Sequence, residues 1–126
     1  MILGLGLDLT QIQRSQQFLD RHGERFTRRI LTSNETEFCA RFGNSAERIA
    51  GCIAAKEAAS KALGTGMSDG VHWKCFEITR ERSGKPTLVL HGRAAELAAE
   101  MGVKRVSLSI THDAGMAAAV VIFEGD

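Results

Sequence analysis

The chain has 126 residues, 44% hydrophobic and 25% charged, proportions of an ordinary folded domain that exclude a disordered or collagen-like chain. One domain over residues 1–126 is expected, large enough to bury roughly two-thirds of its unfolded surface without metal or disulfide staples. Sixteen Lys and Arg against fifteen Asp and Glu leave a net charge of +1, so overall charge supports neither a nucleic-acid nor a membrane-surface role.

In chain order, residues 1–8 alternate, with Leu3, Leu5 and Leu7 on one face and Gly4, Gly6 and Asp8 on the other. That pattern predicts a strand packed on one side. Three helix starts follow with capping-box spacing, Thr10 with Gln13, Thr32 with Glu35 and Asn44 with Glu47, and Gly23, Gly43 and Gly64 close them. On the first helix Arg14, Arg21, Arg25 and Arg28 fall within roughly 60° of one another, opposite Ile12 and Leu19, provided that the helix continues past Gly23. If Gly23 ends it, Arg25 and Arg28 sit on a following turn. Two readings stand: a solvated charged face, or a local positive field that steers an acidic partner.

The second half predicts strands over 74–80 and 86–91 around the turn Ser83-Gly84-Lys85-Pro86, and a helix over 93–101. Strands over 105–111 and 116–124 follow, joined by a turn at His112-Asp113-Ala114-Gly115. Residues 117–123 form an apolar run without polar alternation, compatible with cover on both faces or with a core strand of one subunit. The run is too short for a bilayer, and no basic N-terminal region precedes a small-residue cleavage site, so a cytoplasmic protein without a membrane segment is expected. Cys39, Cys52 and Cys75 are odd in number and widely spaced, which speaks against structural zinc and a disulfide framework. Helices ahead of hairpins give an α+β fold: a long central helix, with other helices packed on a largely antiparallel sheet.

The helix over 44–64 is the most informative segment. Its apolar stripe runs through Ala46, Ile49, Ala50 and Ile53, and at roughly 100° per residue Glu57 falls near its middle, with Lys61 one turn on and Lys56 flanking. Glu57 either pairs with Lys61 at a partly exposed helix end, a contact that stabilises by about 0.3–0.5 kcal/mol, or it ligates a cation while Lys61 meets an anionic oxygen. Asp8 favours the second. It closes an apolar strand on the face where Gly4 and Gly6 admit another backbone closely, and with Glu57 it supplies two hard oxygen donors. Magnesium is held by one or two carboxylates, with waters and substrate phosphate oxygens filling the other positions, so the pair implies an ion shared with a phosphorylated ligand.

Gly4-Leu5-Gly6-Leu7-Asp8 and Ala54-Ala55-Lys56-Glu57-Ala58-Ala59-Ser60-Lys61-Ala62-Leu63-Gly64-Thr65-Gly66 resemble the two signature motifs of the short 4'-phosphopantetheinyl transferases, the holo-[acyl-carrier-protein] synthase family. Gly84-Lys85-Pro86 and Ser109-Ile110-Thr111-His112 resemble its later pieces in the same order, so the resemblance covers essentially the whole chain. It implies a 4'-phosphopantetheinyl transferase-like fold and transfer of the 4'-phosphopantetheine arm of coenzyme A to a serine of apo acyl carrier protein, releasing adenosine 3',5'-bisphosphate. By that resemblance Asp8 and Glu57 hold Mg²⁺, Glu57 and Lys61 act in catalysis, and Lys56, Lys61, Gly64, Thr65, Gly66, Lys85, Pro86 and His112 contact coenzyme A. Read alone, Gly64 is a helix C-cap, Lys85 a turn residue and His112 a polar hairpin-tip residue. Titration of His112 near neutrality would make coenzyme A affinity pH-sensitive. The serine proton goes to Glu57 or to a water at the metal.

The arginines Arg14, Arg21, Arg25 and Arg28 match the acidic helical carrier that the resemblance supplies as partner. The family is typically trimeric with coenzyme A between neighbours, which implies a homotrimer with the site at the subunit interface. One departure stands out: Cys52-Ile53 replaces the Arg-Phe that family members often carry, removing a basic contact to coenzyme A phosphates. On the residues alone, a non-catalytic module for nucleotides or acidic proteins and a magnesium-dependent phosphodiester hydrolase remain open.

Overall fold

The computed structural model describes residues 1–41, 43 and 45–126. The alternating N-terminus forms β1 (Ile2–Gln11), which runs past Asp8 because Leu9, Thr10 and Gln11 pair with Ala118, Ala117 and Met116 of β5 (Met116–Glu124). Thr10 is therefore a strand residue and not a helix cap. The first helix, α1 (Ile12–His22), starts from Gln11 without a side-chain cap, and the Ile12 N–H donates to Gly115 O at 2.9 Å instead. Gly23, at φ 55°, ends α1, and α2 (Glu24–Ile30) begins at the next residue. Arg14 and Arg21 thus stand on one helix, Arg25 and Arg28 on another.

The capping box of α3 (Ser33–Arg41) forms in both directions: the Glu35 N–H donates to Thr32 Oγ1 at 3.3 Å and the Thr32 N–H to Glu35 Oε1 at 2.8 Å. The Asn44–Glu47 cap lies outside the described residues. The axis of the fold is α4 (Ser45–Leu63), packed against β1, β5, β4 (Arg105–Asp113), β2 (Phe76–Arg80), α1 and α3. Where one apolar stripe was expected, cover comes from nearly every side, and Ala54, Ala55, Ala58, Ala59 and Ala62 are all at most 5% exposed. Along its second half only Ile53, Glu57 and Lys61 escape burial. Glu57 lies on that open line and not amid the apolar stripe.

Glycines set the distance between α4 and β1. A Cβ on Gly6 would stand 1.7 Å from Ala58 O, and one on Gly4 2.2 Å from Ala62 O. Both obstacles are helix backbone, which cannot turn aside as a side-chain tip can. Gly6→Ala is therefore expected to cost about 3 kcal/mol, the upper end of overpacking penalties, read as a lower urea midpoint.

One antiparallel sheet has the order β1-β5-β4, and β2 pairs with β3 (Pro86–Leu90) in a separate hairpin. A 3₁₀ turn, Trp73–Cys75, replaces the start of the strand expected from residue 74. After α5 (Gly92–Met101), β4 and β5 are joined at Ala114-Gly115, both at positive φ as a two-residue hairpin turn requires. His112 and Asp113 pair with Ala117 and Met116 inside the ladder, so His112 is a strand-end residue and not the hairpin tip. Elements and order give the expected α+β class.

One sheet face packs on α4. On the other, Leu5, Leu7 and Leu9 are 62%, 65% and 64% exposed. Val120 and Ile122, paired beside Leu7 and Leu5, are half-buried. Cover on both faces is thus absent from β5 within one chain.

Candidate active site

Period-two geometry puts Asp8 on the α4 face of β1, its side chain only 8% exposed. Thr10, two residues on and on the same face, donates its hydroxyl to Asp8 Oδ2 at 3.0 Å. Lys61 Nζ lies 3.2 Å from Asp8 Oδ1 and donates to Leu7 O at 3.1 Å. Glu57 completes the group in hydrogen-bond contact with Asp8. Burial above all, then the bond to Asp8 and its charge, raises the Glu57 carboxyl from 4.5 to about 7, against the opposing pull of Lys61 and Arg14.

Two carboxyl groups held in contact can also share a cation. Among the described residues no three His, Cys, Asp or Glu side chains gather into a metal cage. Two hard oxygen donors fit an ion whose remaining positions are taken by water and a ligand's oxygens, as magnesium prefers.

Two clefts border the group. One, of about 960 Å³, is walled by Arg14, Ser15, Phe18, Ile53, Glu57 and Trp73; the other, of about 480 Å³, by Leu7, Asp8, Leu9, Lys61 and Ala118. Chemistry at the carboxyl pair is therefore open to two approaching groups, and the larger cleft offers both the aromatic surfaces of Phe18 and Trp73 and the positive charge of Arg14.

The expectation that Lys56 faces a diphosphate is corrected. Its side chain is fully buried, 2.7 Å from Glu35 Oε1, and it donates to Trp73 O at 3.1 Å and Phe76 O at 2.7 Å. All three ammonium hydrogens are engaged. Glu35 Oε2 in turn accepts the Ile78 N–H at 2.7 Å, so the pair ties α3, α4 and the start of β2 together. The sequence signal was the capping-box glutamate, whose side chain serves the core as well as its own helix end.

Other expected residues are distributed as follows. Gly64, Thr65 and Gly66 donate their N–H groups to Ser60 O, a C-cap arrangement; a Cβ on either glycine would meet nothing within 4 Å, so the outer side of the loop is open. Lys85 is exposed in the β2–β3 turn beside Pro86, and no described contact links either to the carboxyl pair. His112 Nδ1 pairs with Glu47 of α4. Glu47 precedes Glu57 by ten residues, roughly 15 Å of helix, so one chain does not gather His112 with Asp8 and Glu57. Arg14 and Arg25 border the large cleft together with Arg29, which sequence reasoning passed over; Arg28 is drawn to Glu24 at 3.1 Å. Cys52 is 2% exposed and its free thiol is in hydrogen-bond contact with that of Cys39, a contact that together with burial pushes it well above the usual range. That position offers no cation to a ligand. Thr10 was missed as the partner of Asp8 because its spacing to Gln13 mimics a helix cap.

A family model described as the 4'-phosphopantetheinyl transferase superfamily matches residues 4–121. The chain is 48% identical over 124 residues to the holo-[acyl-carrier-protein] synthase of Solibacter usitatus, covering 98% of this chain and 99% of that one. Among solved structures, the holo-[acyl-carrier-protein] synthase of Neisseria meningitidis superposes with a TM-score of 0.89 at 34% identity, over 98% of this chain and 99% of that one. That of Helicobacter pylori, in complex with coenzyme A, gives 0.84 at 31% identity, over 95% and 99%.

Proposed function

The chain belongs to the 4'-phosphopantetheinyl transferase superfamily, and from that membership we propose that Asp8 and Glu57 hold the divalent ion of a holo-[acyl-carrier-protein] synthase reaction. The activity is transfer of the 4'-phosphopantetheine moiety of coenzyme A to a serine of apo acyl carrier protein, with release of adenosine 3',5'-bisphosphate. The observation that supports the ion site is the contact of Asp8 with Glu57 beside Lys61, on the border of both clefts.

A magnesium ion held by the two carboxylates would neutralise the diphosphate and polarise the phosphorus under attack. Lys61, on an exposed and flexible stem, takes a diphosphate oxygen as charge builds on the leaving phosphate. Glu57, which in this reading lies beside the reacting phosphorus, accepts the proton of the carrier serine as its oxygen bonds to phosphorus and the diphosphate P–O bond breaks. The open side of Gly64-Thr65-Gly66 lets the substrate pass closely, and Lys85, Pro86 and His112 serve the nucleotide end of coenzyme A.

Those last residues stand apart from the carboxyl pair on one chain, and the leucine face of β1 lacks cover. A homotrimer with the site between neighbours answers both needs. Leu7→Lys is expected to convert the assembly to monomers in sedimentation analysis and to abolish transfer; a fully active wild-type monomer would remove the shared cleft.

Arg14, Arg21, Arg25 and Arg28 receive the acidic carrier, with Arg14 and Arg25 bordering the large cleft. Arg14→Ala and Arg21→Ala are each expected to raise the Michaelis constant for carrier several-fold and flatten its dependence on salt, leaving that for coenzyme A nearly unchanged. Incubation with coenzyme A, magnesium and apo carrier, followed by intact-mass measurement, tests the whole reading. Transfer adds the arm to the carrier, hydrolysis consumes coenzyme A without adding it, and simple binding does neither.

A further inference from the structure

The two oxygens of Asp8 are held differently. Oδ2 accepts the Thr10 hydroxyl at 3.0 Å, and Oδ1 lies 3.2 Å from the Lys61 ammonium. Thr10 is β-branched, with few rotamers open to it, and sits one strand repeat beyond Asp8 on the same face, so the bond is short-range and stiff. The Lys61 side chain is 56% exposed, and its only other described bond is to Leu7 O. Beside the Glu57 contact, one of these partners is built in; the other is exposed and carries the charge that a metal would bring.

We propose that Thr10 and Lys61 set the affinity of Asp8 for a divalent ion in opposite directions: Thr10 is a positioning residue that orients the carboxylate, and Lys61 is a placeholder cation that the ion displaces. The proposal rests on the reading of Asp8 and Glu57 as ion ligands. A carboxylate oxygen engaged with an ammonium is not free for a metal, so the free protein keeps Asp8 neutralised until an ion arrives. Release of Lys61 then frees an ammonium donor beside the ion, where a diphosphate oxygen can take it in place of water. Ion entry and substrate capture are thereby coupled through one side chain. Hydrogen bonds to metal ligands are typically worth 10–100-fold in affinity, whereas an ion pair whose lysine is 56% exposed is screened by solvent and worth less, so the two effects differ in size as well as sign.

The test is calorimetric titration of Mn²⁺ into the full chain without coenzyme A. Thr10→Val, close in shape but lacking the hydroxyl, is expected to bind about 10-fold more weakly or worse, and Thr10→Ser to recover to within about two-fold of wild type. Lys61→Met is expected to bind roughly two- to five-fold more tightly. Unchanged affinity in Thr10→Val, or no recovery in Thr10→Ser, overturns the positioning role; equal or weaker binding in Lys61→Met overturns the placeholder. Asp8→Asn separates these from the underlying reading: if it binds Mn²⁺ as wild type does, the ion site itself is wrong.

Discussion

Glu57→Gln is expected to lower turnover by about 10²–10⁴-fold, the range for loss of a general base. The substitution keeps the shape of the side chain and removes both its proton affinity and half of the carboxylate pair, so the fold is retained while the chemistry stops. A variant that binds magnesium normally and turns over at the wild-type rate would eliminate Glu57 as the proton acceptor. The same substitution has a signature in stability. The Glu57 carboxyl is raised in the folded chain from 4.5 to about 7, chiefly by burial. Between those values the folded state binds more protons than the unfolded one, so metal-free protein loses stability as pH rises from about 4.5 to about 7. Glu57→Gln has no such slope. Thermal melts in a chelator across that window read the difference, and a wild-type curve as flat as that of the variant would contradict the half-buried carboxyl held against Asp8.

Lys56→Ala is the second large effect, and it is expected in stability and not in ligand binding. Removing the ammonium leaves the Glu35 carboxylate 1% exposed without its counter-ion, and it takes a donor from Trp73 O and Phe76 O. Breaking a buried pair by deleting one partner costs about 3–5 kcal/mol, which shows as a large fall in the urea midpoint. Replacing both members, Lys56→Met with Glu35→Leu, is expected to regain much of the loss, because no orphaned charge remains. A Lys56→Ala protein of unchanged stability with a raised Michaelis constant for coenzyme A would return Lys56 to the substrate.

These two neighbours show how far the residues could be read in advance. That Asp8 and Glu57 come together was legible because each breaks a pattern: an acid on the glycine face of an alternating strand, and an acid projected onto the apolar stripe of a helix, although Glu57 stands on the open line of α4. Lys56 was not. Helical periodicity ranks faces by hydrophobicity, and a helix covered nearly all round has no polar face for a lysine to mark; which consecutive residue points inward is then fixed by partners far away, Glu35 and the carbonyls of Trp73 and Phe76. Thr10 and His112 were misplaced as well. Both sit beside turn-forming residues and both were taken into strands by pairing with Ala117: for Thr10 this is a long-range contact that local spacing does not encode, and for His112 it is a pairing across the Ala114-Gly115 turn, which is tighter than the four-residue turn expected. The α+β class, the break allowed for at Gly23 and the capping box of α3 depend on local rules and were readable; the helix after that break and the open leucine face were not, because whether a sheet face is covered is set by which distant elements pack on it.

Anomalous diffraction from crystals grown with coenzyme A and Mn²⁺ tests the central claim most directly. One manganese peak is predicted per chain, bound by carboxylate oxygens of both Asp8 and Glu57 at about 2.1 Å, the spacing of a magnesium-type site, and touching a diphosphate oxygen. Coenzyme A bound in full with no peak between these two residues, or with the metal held elsewhere, would contradict it.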